Sequence, residues 1–144
     1  RAGWGALTRD PLLGWSYPAW SKLWRLAGAD HMHVNGFDNK FTESNESVAA
    51  SVASLKDPLF GNSPMCAVPV FSSGQTVRQA AATLNAAGSP DVLVTAGGGI
   101  IAHPDGVTEG VKAMRQAYDA AMQGVDVDVY AKEYHELTAA LAAF

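Results

Sequence analysis

Short apolar runs alternate with stretches of helical periodicity along the whole chain, and that alternation restricts the fold more than any other feature of the sequence. The clearest run, Asp91-Val92-Leu93-Val94-Thr95, is continuously apolar at its centre, as expected of a parallel strand covered on both faces. Cys66 to Phe71 reads as a second buried strand, although Pro69 within it has no N–H to give to a ladder. Asp30 to Val34 reads as a third, short one.

Helical patterns lie before, between and after these runs. Trp20, Leu23, Trp24 and Ala27 fall at i, i+3, i+4 and i+7, with Gly28 placed to stop the helix. A second helix opens near Ser44 and carries Val48, Val52 and Leu55, and the turn-rich segment from Lys56 to Pro64 follows as a loop. Thr76 and Gln79 have capping-box spacing and open a helix with Val77, Ala80, Ala81 and Leu84 on one face, closed by Gly88. A long helix starting at Pro104 or Asp105 carries Val107, Val111, Met114 and Tyr118 and ends at Gly124. A last helix holds Tyr130, Tyr134, Leu137 and Leu141.

The order is a helix, three βα units and a final helix, which argues for a parallel α/β fold. A doubly wound sheet and part of a barrel both fit. A complete (β/α)8 barrel takes roughly 250 residues, so on a barrel reading these 144 residues are part of a longer chain. The start at Arg1, with neither an initiator Met nor an apolar leader, leads to the same expectation.

Composition narrows the partners. With 48% hydrophobic and 17% charged residues, the chain can bury a core as one domain over residues 1–144. A net charge of -4 without a basic cluster argues against a nucleic-acid partner. No apolar run approaches the ~20 residues that span a bilayer. Cys66 is the single cysteine, so no internal disulfide forms, and a cytoplasmic setting is expected.

The strongest local signal for chemistry is Gly97-Gly98-Gly99, directly after the strand that ends at Thr95-Ala96. Consecutive glycines let the backbone approach a ligand closely and turn their N–H groups toward an anion. One unit earlier, Ser72-Ser73-Gly74 occupies the matching place after its own strand, and its hydroxyls suit phosphate oxygens. Two neighbouring strand ends of this kind are what a barrel phosphate site requires. The plain alternative is a pair of tight turns that only permit packing. His31 and His33, two apart, point to one face of their strand, but no carboxylate or cysteine stands at metal-ligand spacing near them. His33 is read as a substrate contact and His31 as structural. Lys40, on a glycine-containing loop, can swing over a substrate and offset negative charge, or be a solvated surface lysine. His103 reads as a residue leading into a helix and His135 as part of a solvated helix face.

Taken together, these residues resemble the C-terminal barrel half of the rubisco superfamily. Arg1-Ala2-Gly3 resembles the segment after the family's fifth barrel strand, where an arginine binds a substrate phosphate. Asp30-His31-Met32-His33 is similar to the sixth strand's Asp-His-x-His, and seven residues beyond His33, Lys40 takes the place of the mobile-loop lysine. Val68 to Gly74 resembles the seventh strand with its phosphate-binding serine-glycine loop, and Gly97 to Gly106 the eighth loop. Carboxylating members have Ser-Gly-Thr after the second histidine, Lys-Leu-Glu-Gly at the lysine, and Ser-Gly-Gly after the seventh strand. Here those stretches are Val34-Asn35-Gly36, Lys40-Phe41-Thr42-Glu43 and Ser72-Ser73-Gly74. The departures point to the rubisco-like branch, and His-Val-Asn-Gly with Asn-Lys-Phe looks most like members that decarboxylate 3-oxo-isoapionate 4-phosphate.

The resemblance implies a (β/α)8 TIM barrel, of which this chain is about three βα units plus a C-terminal helix. It implies a carbon–carbon lyase acting on a phosphorylated sugar acid through an enolate. The alternatives are isomerase or enolase action on a methylthio-sugar phosphate, ribulose-bisphosphate carboxylation, and, in another class, a non-catalytic phosphate-binding module. Lys40 and His33 would be catalytic, and Arg1, Ser72, Ser73, Gly74, Gly97 and Gly98 would hold phosphate or carboxylate. Mg2+ is expected with ligands upstream of Arg1, none within this chain. A homodimer or larger homo-oligomer is expected, and this stretch by itself is expected to be inactive.

Overall fold

The computed structural model describes residues 12, 14–41, 43–61 and 64–144. Arg1, one of the expected phosphate ligands, lies outside the described residues. Three strands, β1 (His31–His33), β2 (Val68–Phe71) and β3 (Leu93–Val94), form one parallel sheet in that order. The helices are α1 (Tyr17–Leu26), α2 (Asn45–Lys56), α3 (Ala80–Ala87), α4 (Gly97–Ile101), α5 (Val107–Gln123), α6 (Val127–Tyr130) and α7 (His135–Ala143). Parallel pairing with a helix in each crossover is the α/β arrangement that the alternation of patterns implies.

Local signals set several boundaries. Ser44 caps α2, its hydroxyl accepting from the Ser47 N–H at 3.2 Å. The Thr76–Gln79 capping box forms and opens one 3₁₀ turn (Val77–Gln79) before α3. Gly88 and Gly124 end α3 and α5 in the left-handed conformation, where a Cβ is disfavoured. Pro69 is tolerated inside β2 for a geometric reason. Val68 donates to the Asp30 carbonyl and Val70 accepts from Val34, so alternation turns the Pro69 nitrogen toward β3. Pairing with β3 begins only at Val70 opposite Leu93, and no ladder bond is lost.

Other boundaries moved. The strand read as Asp91 to Thr95 is only Leu93–Val94, and the one read from Cys66 starts at Val68. The long helix starts at Val107 rather than Pro104 or Asp105. The last helix breaks at Tyr134 (φ -135°, ψ 110°), with Tyr130 and Tyr134 stacked across the break at 4.9 Å.

The buried helix faces also differ from the apolar stripes. On α1 the stripe of Leu23 and Trp24 is half exposed, and the residues that face inward are Tyr17, Ser21 and Arg25. Trp20, partly buried against the core, stacks edge to face with the exposed Trp15 and Trp24, at 6.4 and 5.6 Å. On α3 the buried positions are Ala80, Thr83 and Ala87, with Ala81 exposed. On α5 the helix packs through Gly110, Ala113, Met114, Ala117 and Ala120, while Val107 and Val111 are exposed. Close approach selects the small residues: a Cβ on Gly110 would sit 2.2 Å from the Ile100 carbonyl oxygen.

Arg25 explains the orientation of α1. Its guanidinium is buried and donates to the carbonyls of Ser54, Asp57, Pro64 (3.1 Å) and Met65 (2.7 Å), closing the C-terminal end of α2 and the loop that follows. Cations at a helix C-terminus satisfy carbonyls that have no partner within the helix. The sheet face turned to the helices carries Met32, Val34 and Phe71 in one core with Val48, Val52 and Leu55. A second core joins α5 and α7 through Met114, Leu137 and Leu141. On the opposite sheet face, β1 turns out the exposed His31 and His33, and β3 the half-exposed Leu93.

Replacing Arg25 with Met is expected to cost about 3 kcal/mol of stability, since buried carbonyls lose their donor. Arg25→Lys should recover little, because one ammonium does not span acceptors on both sides of the loop. Denaturant unfolding of the three proteins checks this.

Candidate active site at the carboxyl ends of the strands

In parallel α/β sheets, ligands bind outside the carboxyl ends of the strands, and here three chain segments meet at that edge. After β1 the chain passes through Val34, Asn35, Gly36 and Phe37, all buried, and then rises through Asp38 and Asn39 to the exposed Lys40. After β2 it turns sharply at Ser73 (φ 74°) and Gly74 (φ 93°). After β3 it enters α4, whose first turn is the triple glycine. The expected glycine loop is thus a short helix start, because Ala96 leaves the strand at φ -121° and ψ 72° and the next residues wind up at once.

Gln75 lies at the centre of the meeting point. Its side chain is buried and its amide donates to the Phe37 carbonyl at 3.2 Å, while its Oε1 has no partner. A Cβ on Gly36 would fall 1.8 Å from its amide nitrogen, and one on Gly99 would fall 2.3 Å from its backbone oxygen. Gly99 is therefore demanded by packing against backbone, while a side chain at Gly36 would displace the end of the Gln75 side chain. Gly97 and Gly98 differ, because a Cβ on either would meet only open space. Of the three, these two have room for a ligand, and first-turn N–H groups have no acceptor within the helix.

Lys40 is brought against the Ser72–Gly74 turn. Its N–H donates to the Ser73 carbonyl at 3.2 Å, and a Cβ on Gly74 would be 3.7 Å from the Lys40 Cβ. The loop that carries Lys40 is tied down along its length. Asn39 donates to the carbonyls of Gly36 and Glu43 at 3.1 and 2.9 Å, and Asp38 and Asn45 exchange two hydrogen bonds. The Lys40 Nζ sits 5.2 Å from the centre of the Phe41 ring.

The serine hydroxyls do not point at an open anion site. Ser72 Oγ donates to the Val34 carbonyl at 3.0 Å, and Ser73 Oγ donates to Asn35 Oδ1 at 2.7 Å. With both protons committed to the neighbouring loop, an anion at this turn would be met by backbone N–H groups and by Lys40. His33 stands at the end of β1 with its side chain exposed, and the Tyr17 hydroxyl anchors its carbonyl at 2.8 Å. His103 proves to be more than a residue leading into α5. It is buried, its Nδ1 accepts from the Asp105 N–H at 3.1 Å, and its Nε2 therefore carries the proton donated to the Glu136 carbonyl at 2.9 Å. That pair of bonds ties the segment after α4 to α7. Asn35, Glu43 and Gln75 were missed as site residues; Asn35 and Glu43 stood out only as departures from a motif, and Gln75 carried no signal at all.

Among the described residues, no group of three or more His, Cys, Asp and Glu side chains is gathered closely enough to hold a metal ion. Nor, among the described residues, is any helix long and apolar enough to cross a membrane.

A parallel sheet with glycine-rich and serine-rich turns at its carboxyl edge, and a lysine set against one of them, defines an α/β domain whose small-residue turns gather at one edge. The chain belongs to the family of the ribulose bisphosphate carboxylase large chain, whose catalytic domain matches residues 1–144. It is 55% identical over 141 residues to a 3-oxo-isoapionate-4-phosphate transcarboxylase/hydrolase of Xanthobacter autotrophicus, covering 98% of this chain and 34% of that protein. It is 41% identical over 145 residues to a 3-oxo-isoapionate-4-phosphate decarboxylase of Rhizobium etli, covering 100% of this chain and 34% of that one. The chain thus spans about a third of the length of these relatives. Among solved structures, a rubisco-like protein from Burkholderia fungorum matches with a TM-score of 0.96 and 45% identity, over 100% of this chain and 36% of that one. An octameric ribulose-1,5-bisphosphate carboxylase/oxygenase from Pyrococcus horikoshii matches with a TM-score of 0.88 and 33% identity, over 99% and 34%.

Gly99→Ala is expected to destabilise the chain by about 2 kcal/mol, because the new Cβ meets backbone rather than a movable side chain. Gly97→Ala and Gly98→Ala should stay within about 1 kcal/mol of the parent. Thermal unfolding of the three variants separates packing glycines from ligand-facing ones.

Proposed function

We propose that this chain forms the sixth to eighth βα units of a (β/α)8 barrel that removes the carboxyl group of a 3-oxo sugar-acid phosphate, with 3-oxo-isoapionate 4-phosphate as the substrate. The observation that carries this reading is the contact between the Lys40 loop and the Ser72–Gly74 turn, which sets the backbone and Cβ of a lysine against a turn suited to an anion. The two relatives named for that substrate support it. So do the exposed His31, His33 and Leu93, which line the sheet face opposite the helices and would look into the barrel.

In decarboxylation the bond between the carboxylate and the carbon beside the ketone breaks. Its electron pair moves onto the ketone as an enolate, CO2 departs, and a proton returns to the carbon. Lys40 would offset the charge on the enolate oxygen, and His33 would orient the substrate. The amides of Gly97 and Gly98, with those of the Ser72–Gly74 turn, would take phosphate or carboxylate oxygens. Arg1 would add a further phosphate contact. Magnesium, if the whole enzyme uses it, would be held by residues upstream of Arg1. A homo-oligomer is the assembly we propose for the whole protein.

A second reading, transfer or hydrolysis instead of loss of the carboxyl group, is favoured by the 55% identity to the Xanthobacter protein. Substrate labelled in the carboxyl group distinguishes the two. Decarboxylation releases the label as CO2, and transfer keeps it in an organic product. No turnover of this substrate by the whole protein would sink both readings.

Lys40→Met is expected to lower kcat by about a hundredfold with the fold intact, as loss of a charge aimed at the developing oxyanion commonly does. Gly98→Ala should chiefly raise KM, by crowding the phosphate oxygens. Steady-state kinetics on the whole enzyme, with circular dichroism as the folding control, checks both.

A further inference from the structure

We infer that Ser73, Asn35 and Glu43 act as one positioning unit that sets where the Lys40 loop rests over the Ser72–Gly74 turn, and so tune the site for its substrate. The inference rests on the proposed carboxyl-removing reaction and adds three residues to it.

The geometry is continuous. Ser73 Oγ donates to Asn35 Oδ1 at 2.7 Å, the Asn35 amide donates to Glu43 Oε2, and Glu43 Oε1 accepts from the Ser47 hydroxyl at 2.8 Å. The chain of bonds thus runs from the β2 turn, under the loop after β1, to the first turn of α2. It encloses Lys40, whose own N–H reaches the Ser73 carbonyl, and Gly36, whose N–H reaches the Ser72 carbonyl at 2.8 Å. Asn35 is buried at 8% exposure, so each of its polar groups needs a partner, and this network provides one for both ends of the amide.

Ser73 has a backbone that argues for a purpose. At φ 74° a residue with a Cβ is strained and glycine is the unstrained choice. The serine there does carry a hydroxyl to Asn35. Strain of this sort persists where the surrounding structure holds it and clusters at functional sites. The three residues are among the positions at which the sequence departs from the carboxylating pattern: a serine and an asparagine where glycines are expected, and an acid one place late. Asn35 and Glu43 on the loop after β1 and Ser73 on the turn after β2 form one hydrogen-bonded network that joins the two segments.

The test uses the whole enzyme with Ser73→Gly, Asn35→Ala, their double variant and Glu43→Gln. Ser73→Gly relieves the left-handed backbone, so its Tm should hold or rise slightly. Its kcat should nonetheless fall at least tenfold with little change in KM, as misplacement of a reacting group does. Asn35→Ala should lose a similar factor, and the double variant no more than the worse single one, the mark of residues acting together. Glu43→Gln keeps an acceptor for Asn35 and should retain activity. Full activity in Ser73→Gly, or losses that multiply in the double variant, would overturn the inference. Amide hydrogen exchange decides independently of any substrate. Ser73→Gly should speed exchange at Gly36 and Lys40 about tenfold while Val34 is unchanged, and equal rates would also overturn it. A wild-type enzyme inert toward the substrate would count against the proposed reaction, leaving exchange to judge the positioning unit.

Discussion

The site depends on how closely three chain segments pack around the buried side chain of Gln75. Its amide holds the Phe37 carbonyl, its own backbone lies against Gly99, and Gly36 lies against its side chain. A methyl group at Gly99 would push two segments apart, and one at Gly36 would displace the Gln75 amide from the Phe37 carbonyl. Polar groups buried at such a junction are costly unless bonded, so each bond that forms there also fixes a loop. That junction brings the turns after β1 and β2 together, and the bonds of Lys40 and Asn35 to Ser73 act within it.

The helices obey a different rule from their apolar stripes. Periodicity in α1 and α5 assigns Leu23, Trp24, Val107 and Val111 to the core, yet all four are half exposed. Arg25 rotates α1, because carbonyls at the end of α2 need a donor and a guanidinium can supply several bonds at once. On α5, Gly110 and a run of alanines allow the helix axis to approach its neighbours more closely than valines would. Val111 borders an apolar cavity of about 380 Å3, lined in part by Val94, Ile100, Met114 and Tyr118. Burial there raises the ionisation range of the Tyr118 phenol.

At the site, the residue types were legible and their uses were only partly so. Lys40, the two serines and the triple glycine stand where the motifs put them, at the carboxyl edge of a parallel sheet. Their division of labour was hidden. Gly99 is a packing residue while Gly97 and Gly98 face open space, a distinction invisible in three identical letters. Ser72 and Ser73 direct their protons to Val34 and Asn35 rather than outward.

The sequence by itself determined the parallel α/β class, the family, the caps at Ser44 and Thr76, the glycine stops at Gly88 and Gly124, and the order of the site segments along the chain. Those features are local: a cap, a stop or a strand run depends on a few neighbouring residues and their backbone preferences. Only the tertiary structure decided which helix faces are buried, that Arg25 closes α2, that Gln75 joins three segments, and that Ser73, Asn35 and Glu43 are bonded to one another. Each of those rests on contacts between residues distant in sequence, where distance and direction, rather than residue type or spacing, select the partner.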